Sequence, residues 1–263
     1  QRQMCIRDST PYQPEISQGT LQYIFEYQTM MAELTGLDVS NASMYDGSTA
    51  VAEAMMMAVA HARKRNRVLV SSTLNVLYID VIATYARYHG IKVDLIPEDN
   101  GVTDLKAMED MLAQGDVAGV ILPSPNCYGI LEDFTGVADK VHAAKALLIM
   151  SSPASVLGVI KSPGEWGADV AAGEAQSLGM PLNYGGPGLG YMCCTKALIR
   201  KLPGRIVGAT TDATGQRAFV LTLQAREQHI RREKATSNIC SNQALCALTA
   251  SVYMTAMGAD GME

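Results

Sequence analysis

The chain has 263 residues, of which 48% are hydrophobic and 18% are charged, and its formal net charge is −5. This apolar fraction suffices for a buried core and excludes a disordered chain. The acidic balance argues against nucleic acid as a partner, because a general nucleic-acid binder needs a basic surface. The longest apolar runs, such as Val117–Pro123, are far shorter than the ~20 residues of a membrane-spanning helix, so no membrane association is expected.

The spacing of the hydrophobic residues predicts helices and strands in alternation along most of the chain. The predicted helices are Leu21–Leu34, Ala50–Arg65, Val76–Tyr88, a segment from a Thr103 cap to Gly115, and Thr135–Ala144. The predicted strands are Arg67–Ser71, Lys92–Ile96, Gly119–Leu122, Leu147–Met150, Ala168–Ala172 and Gly190–Cys194. From Ala218 to Met257 the composition is mostly helical.

Strands that alternate with helices are typical of an α/β protein with a mainly parallel sheet and helices on both faces. In such sheets ligands bind beyond the carboxyl ends of the strands. A functional site is therefore expected among five loops. These are Asp46–Thr49, Ser71–Leu74, Ser124–Tyr128, Ser151–Ser155 and Glu174–Leu178.

The six cysteines and four histidines show no spacing typical of zinc ligands, so no metal site is expected. A chain with this core needs no disulfide framework, and reduced thiols in a cytoplasm are the expectation. Cys193, Cys194, Cys240 and Cys246 are interpreted as small core residues. The spacing supports neither a Ser-His-Asp nor a Cys-His arrangement.

The residues Asp46, Gly47, Ser48 and Thr49 open a predicted helix. Free backbone N–H groups, two hydroxyls and the positive end of the helix dipole could together hold a phosphate. Ser and Thr are also favoured helix caps, and from these four residues alone an ordinary N-cap with a glycine turn is the preferred interpretation.

Two other motifs have an ordinary interpretation that we prefer. The run Gly185–Gly190 is rich in glycine, but its spacing and its internal proline differ from the dinucleotide fingerprint, so it predicts a tight turn into a strand. The run Arg231–Lys234 is typical of a solvated helix face. The functional alternative for that run is a basic wall near an anionic ligand.

Four long motifs are unusually distinctive: TPYQPEISQG from Thr10, NASMYDGSTA from Asn41, GEAQSLG from Gly173, and the run that spans Gln216–Gln243. Together they resemble the P protein of the glycine cleavage system. The resemblance is best to subunit 1, the alpha subunit of the split prokaryotic enzyme, glycine dehydrogenase (decarboxylating). It covers nearly everything from Thr10 to Gly258.

The resemblance implies a fold of the aspartate-aminotransferase type, which is PLP fold type I. The family decarboxylates glycine with pyridoxal phosphate and passes the aminomethyl group to the lipoyl arm of H protein. It also implies that both ends are truncated here. We interpret residues 1–9 as a non-native or frayed start and residues 10–263 as the large domain of a PLP-dependent transferase fold. Within it, residues 218–263 begin a helical connection to a missing C-terminal domain.

Pyridoxal phosphate needs a Schiff-base lysine, a carboxylate on its pyridine nitrogen and a phosphate cup. Alignment on the glycine-rich turn places Gln176 in the lysine position, and a glutamine amide cannot form the imine. Ser152 follows the predicted strand where the carboxylate is expected. The phosphate-type loop Asp46–Thr49 survives as a vestige. The resemblance therefore implies no catalytic residue in this chain and no covalently bound cofactor.

The implied partner is P protein subunit 2, the beta subunit, which holds the cofactor in an alpha2-beta2 assembly of the prokaryotic cytoplasm. In this fold each active site lies at a subunit interface, so loops of this chain could complete the partner's site. The candidates for that contribution are Tyr12, Gln13, Thr236, Ser237 and Asn238. The other reactants implied are glycine and lipoylated H protein.

Two alternatives stay open at this point. The chain could be self-sufficient, with Lys161 or Lys196 as the Schiff-base residue, although Gln176 argues against it. It could also be a non-catalytic scaffold in which a vestigial PLP fold survives only for assembly.

Overall fold

A computed structural model describes residues 17–224, 228–235, 237, 239 and 242–263. Its main sheet has seven strands in the order β1-β9-β8-β7-β6-β2-β3. These strands are β1 (Val39–Ser40), β2 (Arg67–Ser71), β3 (Lys92–Ile96), β6 (Val117–Pro123), β7 (Leu147–Ser151), β8 (Val170–Glu174) and β9 (Gly190–Cys194). Two small hairpins are β4 (Glu98–Asp99) with β5 (Val102–Thr103), and β10 (Ile206–Thr211) with β11 (Arg217–Thr222).

Five neighbouring strands of the main sheet, β3, β2, β6, β7 and β8, run parallel. β9 runs antiparallel to β8, and β1, which is antiparallel to β9, has the direction of the five again. The carboxyl ends of β2, β6, β7 and β8 therefore meet at one edge, as the alternating pattern predicts. The mainly parallel, mixed sheet of the predicted fold class is confirmed.

The helices are α1 (Gln18–Thr35), α2 (Gly47–Ala62), α3 (Val76–His89), α4 (Leu105–Ala113), α5 (Val137–Ala143), α6 (Gln228–Arg231) and α7 (Ala244–Met262). Local caps fix several of their ends. Asn75 accepts from Leu77 N at 2.9 Å at the start of α3, and Gly90 ends that helix with φ +64°. The predicted Thr103 cap of α4 is wrong, because Thr103 belongs to β5 and Asp104 accepts from Ala107 N.

Side chains of successive strand residues enter cores on opposite faces of the sheet. Val68 and Val70 pack with α2 and α3, whereas Leu69 packs with α4 and α5. Cys193 and Cys194 divide in the same way, since Cys194 joins the α2 side and Cys193 joins a third core with α1 and α7. The prediction of helices on both faces is confirmed, as is the core position of Cys193, Cys194 and Cys246. Cys240 lies outside the described residues.

The hairpin β10–β11 corrects the expectation of mostly helical structure after Ala218. Two glutamines of α1 hold this hairpin by pairing with its backbone. Gln28 bonds to both N and O of Val207 at 2.9 Å, and Gln18 bonds to N and O of Phe219 at 2.9 and 3.0 Å. The long terminal helix begins only at Ala244. Among the described residues no helix is long and apolar enough to cross a membrane.

Candidate functional site

A cavity of about 160 Å³ lies at the carboxyl edge of the parallel strands. Its lining includes Tyr78, Asn126, Ser151, Ser152 and Gly173, which come from α3 and from the ends of β6, β7 and β8. The carbonyl oxygen of Ser152 accepts a hydrogen bond from the buried Tyr191 hydroxyl at 2.8 Å. The hydroxyl of Ser152 is buried and has no hydrogen-bond partner among the described residues. Three of the five loops in which a functional site is predicted, those after β2, β6 and β7, contribute to the lining of this cavity.

Beside the cavity, Asp46 caps the first turn of α2. Its Oδ1 accepts from Thr49 N at 3.0 Å and from the Ser48 hydroxyl, and its Oδ2 accepts from the Thr49 hydroxyl at 3.1 Å. The groups that could hold a phosphate are thus bound by a carboxylate of the same loop. This geometry is that of an N-cap.

Glu174, the last residue of β8, supplies a second carboxylate at the same point. Its Oε2 accepts from Gly47 N at 2.9 Å. Tyr78 lies close by, and its pKa is raised by burial and by the nearby carboxylates of Glu174 and Asp46. Glu174 and Tyr78 were not predicted as site residues. A signal for Glu174 was available, because it stands at a strand end within the distinctive motif GEAQSLG.

Gly47 leaves no room for a side chain between these groups. A Cβ at this position would lie 2.7 Å from Glu174 N and 2.9 Å from Glu174 Cβ, and it would collide with the Tyr78 hydroxyl. We expect Gly47→Ala to lower the free energy of unfolding by about 1–3 kcal/mol, as overpacking of a closed site does. Urea denaturation monitored by circular dichroism measures the change.

Gly19→Ala is the matched control for that measurement, since a Cβ on Gly19, also in the first turn of a helix, meets nothing within 4 Å. Its free energy of unfolding should be unchanged or slightly higher. Equal stability of Gly47→Ala and the wild type would show that the start of α2 is not closed as described.

Gln176 stands two residues after β8. Its backbone N donates to Glu174 Oε1 at 2.9 Å, and its side-chain Nε2 is buried with no partner in the described part of the chain. The glycine-rich run ends close by, because Leu189 N donates to the same Glu174 oxygen at 2.7 Å. The run is a turn that leads into β9, as predicted. Gln176 and Glu174 therefore lie where β8 and this turn meet.

Comparison with known proteins agrees with this architecture. The family described as glycine cleavage system P-protein matches residues 1–263. The chain belongs to this family.

Relatives of the P-protein family extend the comparison. The chain is 57% identical over 254 residues to a protein of Moorella thermoacetica named probable glycine dehydrogenase (decarboxylating) subunit 1. It is 55% identical to a protein of the same name from Anoxybacillus flavithermus. These alignments cover 97% of this chain and 57% and 56% of the relatives, so the chain spans little more than half of their length.

Solved structures support the same family and its fold. A crystal structure of glycine decarboxylase (P-protein) of the glycine cleavage system, in inhibitor-bound form, matches with TM-score 0.90 and 46% identity. That match covers 99% of this chain and 58% of the other. Ureidoglycine-glyoxylate aminotransferase of Bacillus subtilis matches with TM-score 0.63 at 16% identity over 99% of this chain and 64% of the other, a likeness of fold alone. The predicted aminotransferase-like fold, PLP fold type I, is confirmed.

The P-protein chain keeps both lysines of the self-sufficient alternative away from the cavity. Lys196 follows β9, and because Cys194 pairs with Val170 at the start of β8, Lys196 lies at the opposite edge of the sheet. The ammonium of Lys161 lies 3.6 Å from the centre of the Trp166 ring. Neither lysine lines the cavity.

The structure brings together two of the P-protein motifs that the resemblance singled out. Ser43 Oγ accepts from Asn242 Nδ2 at 2.8 Å and from Gln243 N at 3.1 Å. Ser237 donates a hydrogen bond to the buried Glu53 of α2. The end of the long motif therefore packs against NASMYDGSTA and the helix that follows it.

The other candidates for a partner's site, Tyr12, Gln13, Thr236 and Asn238, lie outside the described residues. The basic run forms the end of α6 and the 3-10 turn Arg232–Lys234, and its four residues are exposed, as a solvated face requires. Among the described residues no group of three or more His, Cys, Asp and Glu is placed to hold a metal ion.

Proposed function

We propose that this chain is the subunit of glycine decarboxylase that does not hold the cofactor. It acts with P protein subunit 2, in an alpha2-beta2 assembly, to decarboxylate glycine and to pass the aminomethyl group to the lipoyl arm of H protein. The names of the bacterial relatives, which specify a subunit 1, support a second subunit. The setting proposed for the assembly is the bacterial cytoplasm.

The side chains at the carboxyl edge of the sheet are the main support for this proposal. Pyridoxal phosphate requires a lysine for the imine and a carboxylate for its pyridine nitrogen. Neither a lysine nor an acidic residue is among the described residues that line the cavity, and the lysine position holds Gln176. A phosphate at the start of α2 would need hydrogen-bond donors, but the carboxylates of Glu174 and Asp46 lie there instead. These residues do not fit the cofactor, so no step of the reaction is assigned to this cavity.

An exposed apolar surface at the same edge supports a partner. Val76 and Leu77 at the start of α3 are 65% and 67% exposed, and Tyr128 and Leu131 after β6 are exposed as well. The loops that carry them touch, since Cys127 N donates to Thr73 O at 2.8 Å. Apolar patches of this kind mark interaction sites. In a fold whose active sites lie between subunits, the catalytic subunit is the partner that this edge suits.

The contribution of this chain to the reaction is then to complete the partner's site with loops. Tyr12, Gln13, Thr236, Ser237 and Asn238 remain the candidates. Ser237 is held by two contacts, to Glu53 and to Ile239 N, which donates to its hydroxyl at 3.2 Å.

Reconstitution tests the proposal. The full-length subunit is mixed with the catalytic subunit, pyridoxal phosphate and H protein, and exchange of labelled bicarbonate into the glycine carboxyl is followed. Exchange is expected in the mixture and not with either subunit alone. Exchange by this subunit alone would contradict the proposal. Absence of exchange in a mixture whose folded subunits co-elute would favour the scaffold alternative.

A substitution in the same assay tests the loop contribution. Thr236→Val is expected to lower the exchange rate without changing co-elution of the subunits. Thr84→Val is the matched control, because Thr84 is exposed and its hydroxyl bonds to Asp80 O of its own helix, at 2.8 Å. Equal exchange rates for the two variants would show that Thr236 does not contribute to the partner's site.

A further inference from the structure

One side chain, Glu174, collects hydrogen bonds from three separate segments. Oε2 accepts from Gly47 N at 2.9 Å, and Oε1 accepts from Gln176 N at 2.9 Å and from Leu189 N at 2.7 Å. Gly47 begins α2, Gln176 lies in the loop after β8, and Leu189 ends the glycine-rich turn. Three backbone N–H groups thus converge on one negative charge.

Converging amides at a helix start form the arrangement that proteins use to bind anions. The helix dipole adds a favourable field for negative charge at that point. Here the anion belongs to the chain itself. With Asp46 capping Thr49 N beside it, an incoming phosphate would find the donors occupied and would meet two carboxylates.

We infer that Glu174 is an internal anion that excludes phosphorylated ligands from the start of α2 and holds the loop 175–189 against that helix. The inference deepens the proposed function, on which it rests for its significance, because it gives a reason why this chain leaves the cofactor to its partner. Glu174 is a positioning and specificity residue in this account, and it touches no reactant.

The hydrogen bonds to Glu174 also hold the two ends of the loop 175–189 together. Both ends of the loop are tied at Glu174, and Ala175 N donates to Leu189 O at 2.7 Å, which closes the loop at its base. Between these ends the loop projects Leu182, which is 82% exposed. Loss of the carboxylate would leave three amides without their acceptor and would release one side of the base.

The direct test is phosphate binding, which needs no catalytic activity. The thermal midpoint of the full-length subunit is measured against inorganic phosphate at constant ionic strength, for the wild type, Glu174→Ala and Glu174→Gln. Glu26→Ala, an exposed change on α1, is the control. Ligand that binds only the folded state raises the midpoint. We expect no phosphate response in the wild type and in the control.

Both Glu174 variants should have a lower midpoint without phosphate and should gain stability as phosphate is added. Because the like-charge repulsion is removed, both variants should respond at phosphate concentrations at least about tenfold below any at which the wild type responds. Glu174→Gln keeps the length of the side chain, so it serves if Glu174→Ala does not fold. A wild type that responds as strongly as the variants, or variants that do not respond, would overturn the exclusion of phosphate.

Hydrogen exchange tests the anchoring independently. Peptides that cover Gly47, Gln176 and Leu189 should exchange faster in Glu174→Gln than in the wild type, while peptides from α4 and α5 should not change. Unchanged protection of all three amides would overturn the anchoring role. Because neither readout involves the partner, failure here is distinct from failure of the reconstitution, which would refute the proposed function instead.

Discussion

Glu132→Ala is expected to lower the free energy of unfolding by about 3–4 kcal/mol, because it leaves buried donors without an acceptor. The Glu132 carboxylate is buried and accepts from Thr103 N at 2.8 Å, from Asn126 Nδ2 at 2.9 Å and from the Thr73 hydroxyl at 3.1 Å. The Thr73 hydroxyl can turn to Ser71 or Thr103, and Asn126 Nδ2 keeps its bond to Gly101 O at 2.8 Å, but Thr103 N loses its acceptor.

Chemical denaturation of Glu132→Ala beside Glu26→Ala measures this effect. Glu26 is exposed on α1, so its loss should change stability by no more than about 0.5 kcal/mol. Because Glu132 joins the loops after β2 and β6, which border the cavity, its loss should also weaken assembly with the proposed catalytic subunit. Similar unfolding midpoints for the two variants would contradict the buried network.

Glu53→Gln is expected to stabilise the protein at alkaline pH and to have little effect at pH 4. Glu53 of α2 is only 1% exposed, and burial raises its pKa from 4.5 to about 7, although the hydrogen bond from Ser237 opposes that rise. Between pH 4.5 and 7 the folded state keeps a proton that the unfolded state releases. The free energy of unfolding therefore falls as pH rises through this window.

The size of the effect of Glu53 on the free energy of unfolding follows from the shift in its pKa. About 2.5 pKa units correspond to about 3 kcal/mol of stability present below pH 4.5 and lost above pH 7. Glu53→Gln has no such loss, so its advantage over the wild type should grow through that window. Urea titrations from pH 4 to pH 8, with the exposed Glu33→Gln as control, measure it. A constant difference between Glu53→Gln and wild type across this range would contradict the buried, titrating carboxyl.

Most of the sheet was predictable because its inner strands are buried on both faces, whereas the edge strand Lys92–Ile96 is only partly buried. Arg67–Ser71, Lys92–Ile96 and Gly190–Cys194 have the predicted bounds, and the alternation with helices gives the parallel order and the edge where the cavity lies. The direction of β9 was not predictable from its own residues. It depends on the connection through the glycine-rich turn.

The hairpin β10–β11 was not predicted, because the residues that stabilise it are distant in the sequence. Five of the twelve strand residues are exposed, and two of these five are apolar, so the apolar period of the hairpin is weak. What holds it is Gln28, which is 179 positions away from Val207, and Gln18, which is 201 positions away from Phe219. No local pattern carries that information.

Sequence reasoning identified the loops of the candidate site but not the side chains that interact within it. Asp46–Thr49 was recognised as a possible anion seat, with an N-cap as the preferred interpretation. The N-cap is confirmed, but the capping side chain is that of Asp46 and not of Ser48 or Thr49, so the helix begins at Gly47 instead of Ala50. The second carboxylate at that seat, Glu174, was not foreseen. Its role depends on backbone amides at Gly47 and Leu189, which only the fold brings together. Likewise, the raised pKa of Glu53 comes from its burial, which only the packing of the fold produces.

The location of the cofactor in the assembled enzyme tests the central claim most directly. The complex of full-length subunits is loaded with pyridoxal phosphate, reduced with borohydride to fix any imine, digested and analysed by mass spectrometry. The account predicts a phosphopyridoxyl group on a lysine of the catalytic partner and none on this chain. A modified lysine in this chain, Lys161 and Lys196 included, obtained at the stoichiometry of the active sites, would contradict it.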